Sequence, residues 1–273
     1  MQMKKSTLDV LVIQSDLVWE NPEMSRAHIN QHFQTVSESP DVVVLPEMFT
    51  SGFSMDWSRR AEEHAQEMPT LQWMRQWANR WNALVMGSVA VRDQGKSSNR
   101  LYAVKPNGEF QIYDKRHTFR FAGEHQHFEP GNQQTRIEWQ GWRIAPFICY
   151  DLRFPVWSRN HVANGQFDFD VMIYVANWPA VRSAPWQKLL LARAIENQSY
   201  VVACNRVGID GAGLDYAGDS AIIDFKGDYL FRDERGKECL LRAQLSMESL
   251  TQFRDKFPAW MDADSFEASW KGE

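Results

Sequence analysis

Cysteine is scarce in this chain: three residues among 273, at positions 149, 204 and 239. They are too few and too far apart for a disulfide framework. Reduced thiols fit a cytoplasmic protein. Long apolar runs are missing too; none approaches the ~20 residues of a membrane-spanning helix. The first residues, Met1 to Lys5, are mildly basic, but Asp9 and Asp16 break the apolar run behind them, unlike a signal peptide. No Lys/Arg run appears and the formal charge is −5, which argues against a nucleic-acid surface. Gly95-Lys96-Ser97 imitates the end of a phosphate-binding loop, but Ala90 stands where that motif needs glycine. Gly208 to Gly213 lacks dinucleotide-binding spacing and reads as a flexible loop. No Gly-x-Ser-x-Gly elbow occurs, which excludes that kind of serine hydrolase. No repeat, low-complexity segment or linker divides the chain, so residues 1–273 read as one domain.

What is present alternates. Leu8 to Gln14, Asp41 to Leu45, Ala83 to Val91, Leu101 to Val104 and Phe110 to Tyr113 read as strands. So do Ile144 to Ile148, Asp170 to Ala176, Tyr200 to Cys204, Ala221 to Phe225, Tyr229 to Phe231 and Glu238 to Leu245. Asn107-Gly108 signals a hairpin, and Lys226 to Asp228 a turn. Helical spacing appears over 23–39, with Met24, Ala27, Phe33 and Val36 apolar, and over 70–81, with Leu71, Met74, Trp77 and Ala78. Further helices are expected over 156–163, opened by Pro155, over 186–197, and over 246–253 with Ser246 as N-cap. The fold class is a layered α/β protein with strands paired both parallel and antiparallel. The tail from about 258 is irregular, with Trp260 and Trp270 exposed unless a partner subunit covers them.

Cys149 falls where a strand ends and the expected helix is about to begin. On position alone it is either a small buried hydrophobe or a nucleophile whose pKa a helix N-terminus lowers. Two more chemically useful residues follow strands, where α/β sheets place ligand sites. Glu47 follows Asp41 to Leu45, and Lys115 follows Phe110 to Tyr113. A thiol attacking an amide needs a base, a stabiliser for the developing charge, and a proton for the leaving ammonia. Glu124, His125, His127 and Glu129 form a separate cluster that could hold zinc, though its spacing fits no standard site.

Four segments carry a resemblance: Leu45-Pro-Glu47, Asp114 to His117, Gly123-Glu124 leading to Phe128-Glu-Pro-Gly131, and Cys149-Tyr-Asp-Leu-Arg-Phe-Pro155. Together and in this order they resemble the nitrilase, or carbon–nitrogen hydrolase, superfamily. The resemblance implies an α-β-β-α sandwich whose subunits form homodimers. It implies Glu47 as general base, Lys115 as stabiliser of the tetrahedral intermediate, Cys149 as nucleophile and Glu124 as a second glutamate. The N–H of Tyr150 would join Lys115 at the oxyanion, with no cofactor and no metal. Cys149 to Phe154, Ala176-Asn-Trp-Pro179 and Ala192 to Asn197 are most similar to the omega-amidase branch. Arg116, Thr118 and the compact loop from Lys115 to Gly131 depart from the common pattern. The implied reaction is hydrolysis of the side amide of 2-oxoglutaramate or 2-oxosuccinamate to the keto dicarboxylic acid and ammonia. Its small-molecule substrate carries a carboxylate, which a buried site must meet with cations or donors. Arg153 and Arg182 are the candidates, with Asn177, Trp178 and Phe154 as further walls. Arg153 could instead anchor Asp151 or Glu196. Nitrile hydrolysis and N-carbamyl cleavage are the alternatives within the family. Outside it stand a metal-dependent hydrolase using His125 and His127, and a non-catalytic binder.

Overall fold

The computed structural model describes residues 5–163, 165–232 and 235–264. Two twisted sheets face each other. In the first, strands lie in the spatial order Cys239–Ser246, Thr7–Gln14, Val42–Val44, Leu84–Asp93, Lys96–Val104 and Phe110–Asp114. In the second the order is Tyr229–Arg232, Ala221–Ile223, Tyr200–Asn205, Val171–Ala176, Trp142–Ile148 and Ile137–Trp139. The centre of each sheet is parallel and its edges antiparallel. Central parallel strands are covered on both faces, so they read as unbroken apolar runs. Val42, Val43 and Val44 are fully buried, as is every residue from Val171 to Ala176.

One face of the first sheet, with Val10, Val12, Val42 and Val44, meets Ile144, Phe147 and Ile173 of the second in one core. The outer face of the first sheet is covered by helices α1 (Pro22–Gln34) and α2 (Pro69–Trp81). Leu11, Ile13 and Val43 there pack with Ile29, Phe33, Leu71 and Met74. Helices α3 (Ser183–Asn197) and α4 (Met247–Lys256) bring Trp186, Leu190, Ala194 and Leu250 to the second sheet. The layers therefore run helix, sheet, sheet, helix. Ser246 caps α4 as expected, its hydroxyl accepting from the Ser249 N–H.

Several expectations need correction. Helix α1 ends at Gln34 rather than residue 39 and buries Ser25, Ile29 and Phe33, whereas Met24 is 57% exposed. Its start is marked by Asn21, whose side chain accepts from the Met24 N–H, and by Pro22. No helix forms over 156–163: residues 155–158 turn and Val162–Ala163 is a short strand. Two buried polar side chains outcompete helical bonding there. Asn160 Nδ2 donates to the Phe169 carbonyl and its N–H to Asn197 Oδ1, while Trp157 Nε1 donates to the Tyr113 hydroxyl. The stretch from Gly208 to Gly213 is not merely a flexible loop. It joins a two-strand hairpin, Val207–Ile209 with Asp215–Ala217, whose turn is held by Asp210 accepting from Ala212 and Leu214 N–H groups. Gly211 packs so tightly there that a Cβ would lie 2.3 Å from Trp19. Trp260 is half-buried, edge-on to Phe167 at 6.0 Å. Trp270 lies outside the described residues.

Candidate active site

The C-terminal ends of three central strands and one edge strand converge between the sheets. Val42–Val44 delivers Glu47 after Leu45 and Pro46; Phe110–Asp114 delivers Lys115; Trp142–Ile148 delivers Cys149; Val171–Ala176 delivers Asn177. The Lys115 backbone is pinned on both sides, its N–H to the Asn99 carbonyl and its carbonyl to the Gly131 N–H. Gly131 admits no side chain, since a Cβ would stand 2.2 Å from the Asp114 carbonyl oxygen. That contact is the physical meaning of glycine in Phe128-Glu-Pro-Gly131.

Glu47, Glu124 and Lys115 are almost wholly shut from solvent. Lys115 Nζ donates to Glu47 Oε1 at 2.8 Å and to Glu124 Oε2 at 2.9 Å. Glu47 is held further: Oε1 accepts from Asn99 Nδ2 at 2.7 Å, and Oε2 from the Asn177 N–H at 2.7 Å. Glu124 Oε2 also accepts from the Phe119 N–H at 2.5 Å. Burial works against the Lys115 charge, but the carboxylates of Glu124 and Glu47 outweigh it and hold its pKa above the ordinary lysine value. Two carboxyls on one ammonium leave a negative charge in excess. Glu124 carries the penalty: burial pushes its pKa up, Lys115 pulls it down, and Glu47 adds to the rise.

Cys149 opens a tight 3₁₀ turn, Cys149–Arg153, with φ +45°. A non-glycine residue in this region is uncommon and persists only where neighbours enforce it. Asp151 is the enforcer. Fully buried, it accepts from the Ile148 N–H and the Tyr113 hydroxyl through Oδ2, and from the His117 N–H and Nδ1 through Oδ1. The thiol pKa is not lowered by its position, contrary to expectation. Burial pushes it well up and the Glu47 carboxylate adds to the rise, against the pull of Lys115. A five-residue turn has too little dipole to reverse that. The resting thiol is therefore protonated at neutral pH, beside a carboxylate able to take the proton.

Cys149 lies on the floor of a cavity of about 630 Å³. Tyr150, Arg153, Asn177, Trp178 and Arg182 line it, as expected. Phe154 does not; its ring is stacked on His117 at 3.8 Å. Arg153 lies over Trp178 at 5.1 Å and Arg182 over Phe121 at 4.8 Å. Among the described residues neither guanidinium meets a carboxylate. The carboxylates suggested for Arg153 are engaged elsewhere, Asp151 as above and Glu196 with Arg193 at 2.8 Å. Of the acids lining the cavity, Glu20 is engaged with Arg60 and Ser54 and Asp210 with Tyr216 and its turn, while Asp56 is exposed. Glu124 turns its carboxylate to Lys115, and among the described residues His125 and His127 join no trio of ligand atoms within 4.8 Å.

Asn99, Tyr113 and Asp151 are the site residues that sequence reasoning missed. Asn99 left only a faint trace, a polar residue between Ser98 and Arg100, inside a strand that proves to start at Lys96. Asp151 stood in the Cys149 segment, but nothing local says that its partners are Tyr113 and His117.

The sequence matches the model of the family described as carbon–nitrogen hydrolase over residues 12–255. The omega-amidase YafV of Escherichia coli K12 is 48% identical, over 95% of this chain and 98% of its own. The 2-oxoglutaramate amidase of Bacillus subtilis is 32% identical over 92% of this chain and 95% of its own. Among solved structures, XC1258 of Xanthomonas campestris is similar at TM-score 0.94 and 42% identity, over 97% of this chain and 100% of that one. XC1258 is a CN-hydrolase superfamily protein with an arsenic adduct in its active site.

Proposed function

The chain belongs to the carbon–nitrogen hydrolase family, and we propose that it is an omega-amidase with Cys149 as nucleophile, acting on the side amide of 2-oxoglutaramate or 2-oxosuccinamate. One observation carries the reading most of the way. A buried thiol backed by a carboxylate faces a cavity in which two guanidinia lack carboxylate partners among the described residues. Such a cavity suits a small anion bearing an amide at its far end.

Cys149 Sγ attacks the amide carbon while Glu47 takes its proton. The carbonyl oxygen gains the negative charge and is met by Lys115 Nζ and the Tyr150 N–H. That N–H stands at the start of a 3₁₀ turn, where donors lack partners within the turn. The intermediate collapses, the C–N bond breaks, and Glu47 returns the proton to the leaving ammonia. Water then attacks the thioester, giving its proton to Glu47. The C–S bond breaks, the proton goes back to sulfur, and the keto dicarboxylate leaves. Glu124 fixes Lys115 and shares its charge. Arg153 and Arg182 hold the substrate carboxylate over Trp178. No cofactor enters this scheme.

We further propose a cytoplasmic homodimer. The three cysteines form no disulfide, which suits that compartment, and no described helix is long and apolar enough to cross a membrane. Phe257 and Met261 are exposed beside Trp260, an apolar face a second copy can cover. Light scattering at micromolar protein should give twice the chain mass. The activity is tested by ammonia release from 2-oxoglutaramate, from neutral short amides, and from nitrile and carbamyl compounds, with mass spectrometry of the trapped thioester. The keto-acid amide should be preferred and the acyl group found on the Cys149 peptide. An acyl group on another peptide would sink the mechanism; a preference for nitriles or carbamyl compounds would sink only the substrate assignment.

A further inference from the structure

His28 and His32 stand one turn apart on α1, so both imidazoles project from one face. Glu238, 206 residues beyond His32, meets them: its Oε1 lies 2.6 Å from His28 Nε2 and 3.3 Å from His32 Nε2. One ligand atom from each of the three lies within 4.8 Å of the others, the only such trio among the described residues. None of the three lines the active-site cavity. All are partly open to solvent, at 29%, 18% and 34% side-chain exposure, so an ion can reach them.

The hydrogen bonding here is over-subscribed. Glu238 Oε1 also faces the Ser15 hydroxyl and the Asp16 N–H, each at 2.8 Å. Four polar groups thus crowd one oxygen, which offers about two lone pairs.

We propose that His28, His32 and Glu238 bind one divalent transition-metal ion of the zinc class. Two histidines at i and i+4 with a carboxylate are a known donor set for zinc. Two imidazoles disfavour magnesium and calcium, which select oxygen. With an ion between them, both rings direct lone pairs to the metal instead of competing for one oxygen. The Asp16 N–H and Ser15 hydroxyl remain on the carboxylate as its outer support. Water would complete the donor set. The ion ties α1 to the start of the Cys239–Ser246 strand and stabilises the fold by linkage. It is independent of the amidase reading.

The test is calorimetric titration of Zn²⁺ into metal-free Cys149→Ala protein, which lacks the cavity thiol. One equivalent should bind. The Tm should rise by roughly 5–10 °C at a hundredfold excess over Kd. His28→Gln and His32→Gln should each weaken binding by about tenfold or more. Glu238→Gln keeps the side chain's shape, should weaken it likewise, and serves if a histidine variant disturbs α1. Co²⁺ in place of Zn²⁺ should give ligand-field bands without a thiolate charge-transfer band. The proposal is overturned by no binding at millimolar Zn²⁺, by binding unchanged in the folded His28→Gln/His32→Gln double variant, or by a thiolate band pointing to Cys239 or Cys204.

Discussion

The floor of the cavity and its rim are built on opposite terms. On the floor, Glu47, Glu124 and Lys115 are ionisable, buried and answered by one another and by Asn99, Asn177 and Phe119. At the rim, Arg153 and Arg182 lie against aromatic rings, with Phe121 81% and Val181 84% exposed beside them. A dry floor makes each charge felt strongly and fixes its geometry before substrate arrives. A wet rim screens charge and holds its side chains loosely. On the proposed mechanism the floor sets how fast an amide is cut, and the rim sets which amide is held. Variants of the floor should fall in kcat and variants of the rim in KM.

The largest effects belong to the floor. Cys149→Ala should cost roughly 10⁴-fold or more in kcat, as removal of a nucleophile does elsewhere, while Cys204→Ala and Cys239→Ala keep most activity. Lys115→Met should cost about 10²–10³-fold, the scale for an oxyanion donor. Glu47→Gln should fall comparably. Steady-state kinetics on variants with unchanged circular dichroism check this. Near-normal kcat in Lys115→Met would break the comparison at its stronger end.

Next comes the rim's hold on the carboxylate. Hydrogen bonds to a charged group are worth about 1.5–3 kcal/mol, and solvent trims that at an exposed site. Arg153→Ala or Arg182→Ala should therefore lower kcat/KM for the keto-acid amide by roughly 10- to 100-fold, mainly through KM. A neutral short amide should be cut almost as well by variant as by parent. An unchanged ratio between the two substrates in both variants would remove the clamp from the rim.

A third effect tests the floor's electrostatics. The raised thiol pKa means that alkylation of Cys149 by iodoacetamide should quicken only above the ordinary thiol range. Glu124 is one of the negative charges holding that pKa up. Glu124→Gln removes it, so the thiolate becomes easier to form and the alkylation midpoint should move to lower pH. A midpoint that stays or climbs would show that burial alone sets the thiol.

The floor was more legible in the sequence than the rim, and for a physical reason. Glu47, Lys115 and Cys149 each follow a strand, and the two facing sheets bring those strand ends to one place whatever the loops do. Glu124 came through the resemblance, and its carboxylate accepts from Lys115. The rim's Phe121 and Val181, and the Asp210 hairpin, carry no local signal, since an exposed loop residue can point anywhere. The turn after Cys149 was misread as a helix because Asn160 and Trp157 find partners far along the chain, at Asn197, Phe169 and Tyr113. The His28–His32–Glu238 trio was illegible for the same reason: helical spacing shows two members but cannot reveal the third.

The smallest effect sharpens the comparison most. Phe121 is 81% exposed, and the Arg182 guanidinium lies 4.8 Å from its ring centre. At an exposed site a cation–π contact is worth roughly 0.5–1 kcal/mol. The ring touches no reacting group, so its service is to keep Arg182 turned toward the cavity. Phe121→Ala should therefore raise KM for the keto-acid amide about two- to fivefold. Its kcat should stay near the parent's, and the neutral amide should be indifferent. Combined with Arg182→Ala, the Phe121 change should add nothing further, because the side chain it steadies is gone. A fall in kcat, or full additivity of the two changes, would mean that Phe121 serves the floor or the fold directly, and the division between floor and rim would have to be drawn elsewhere.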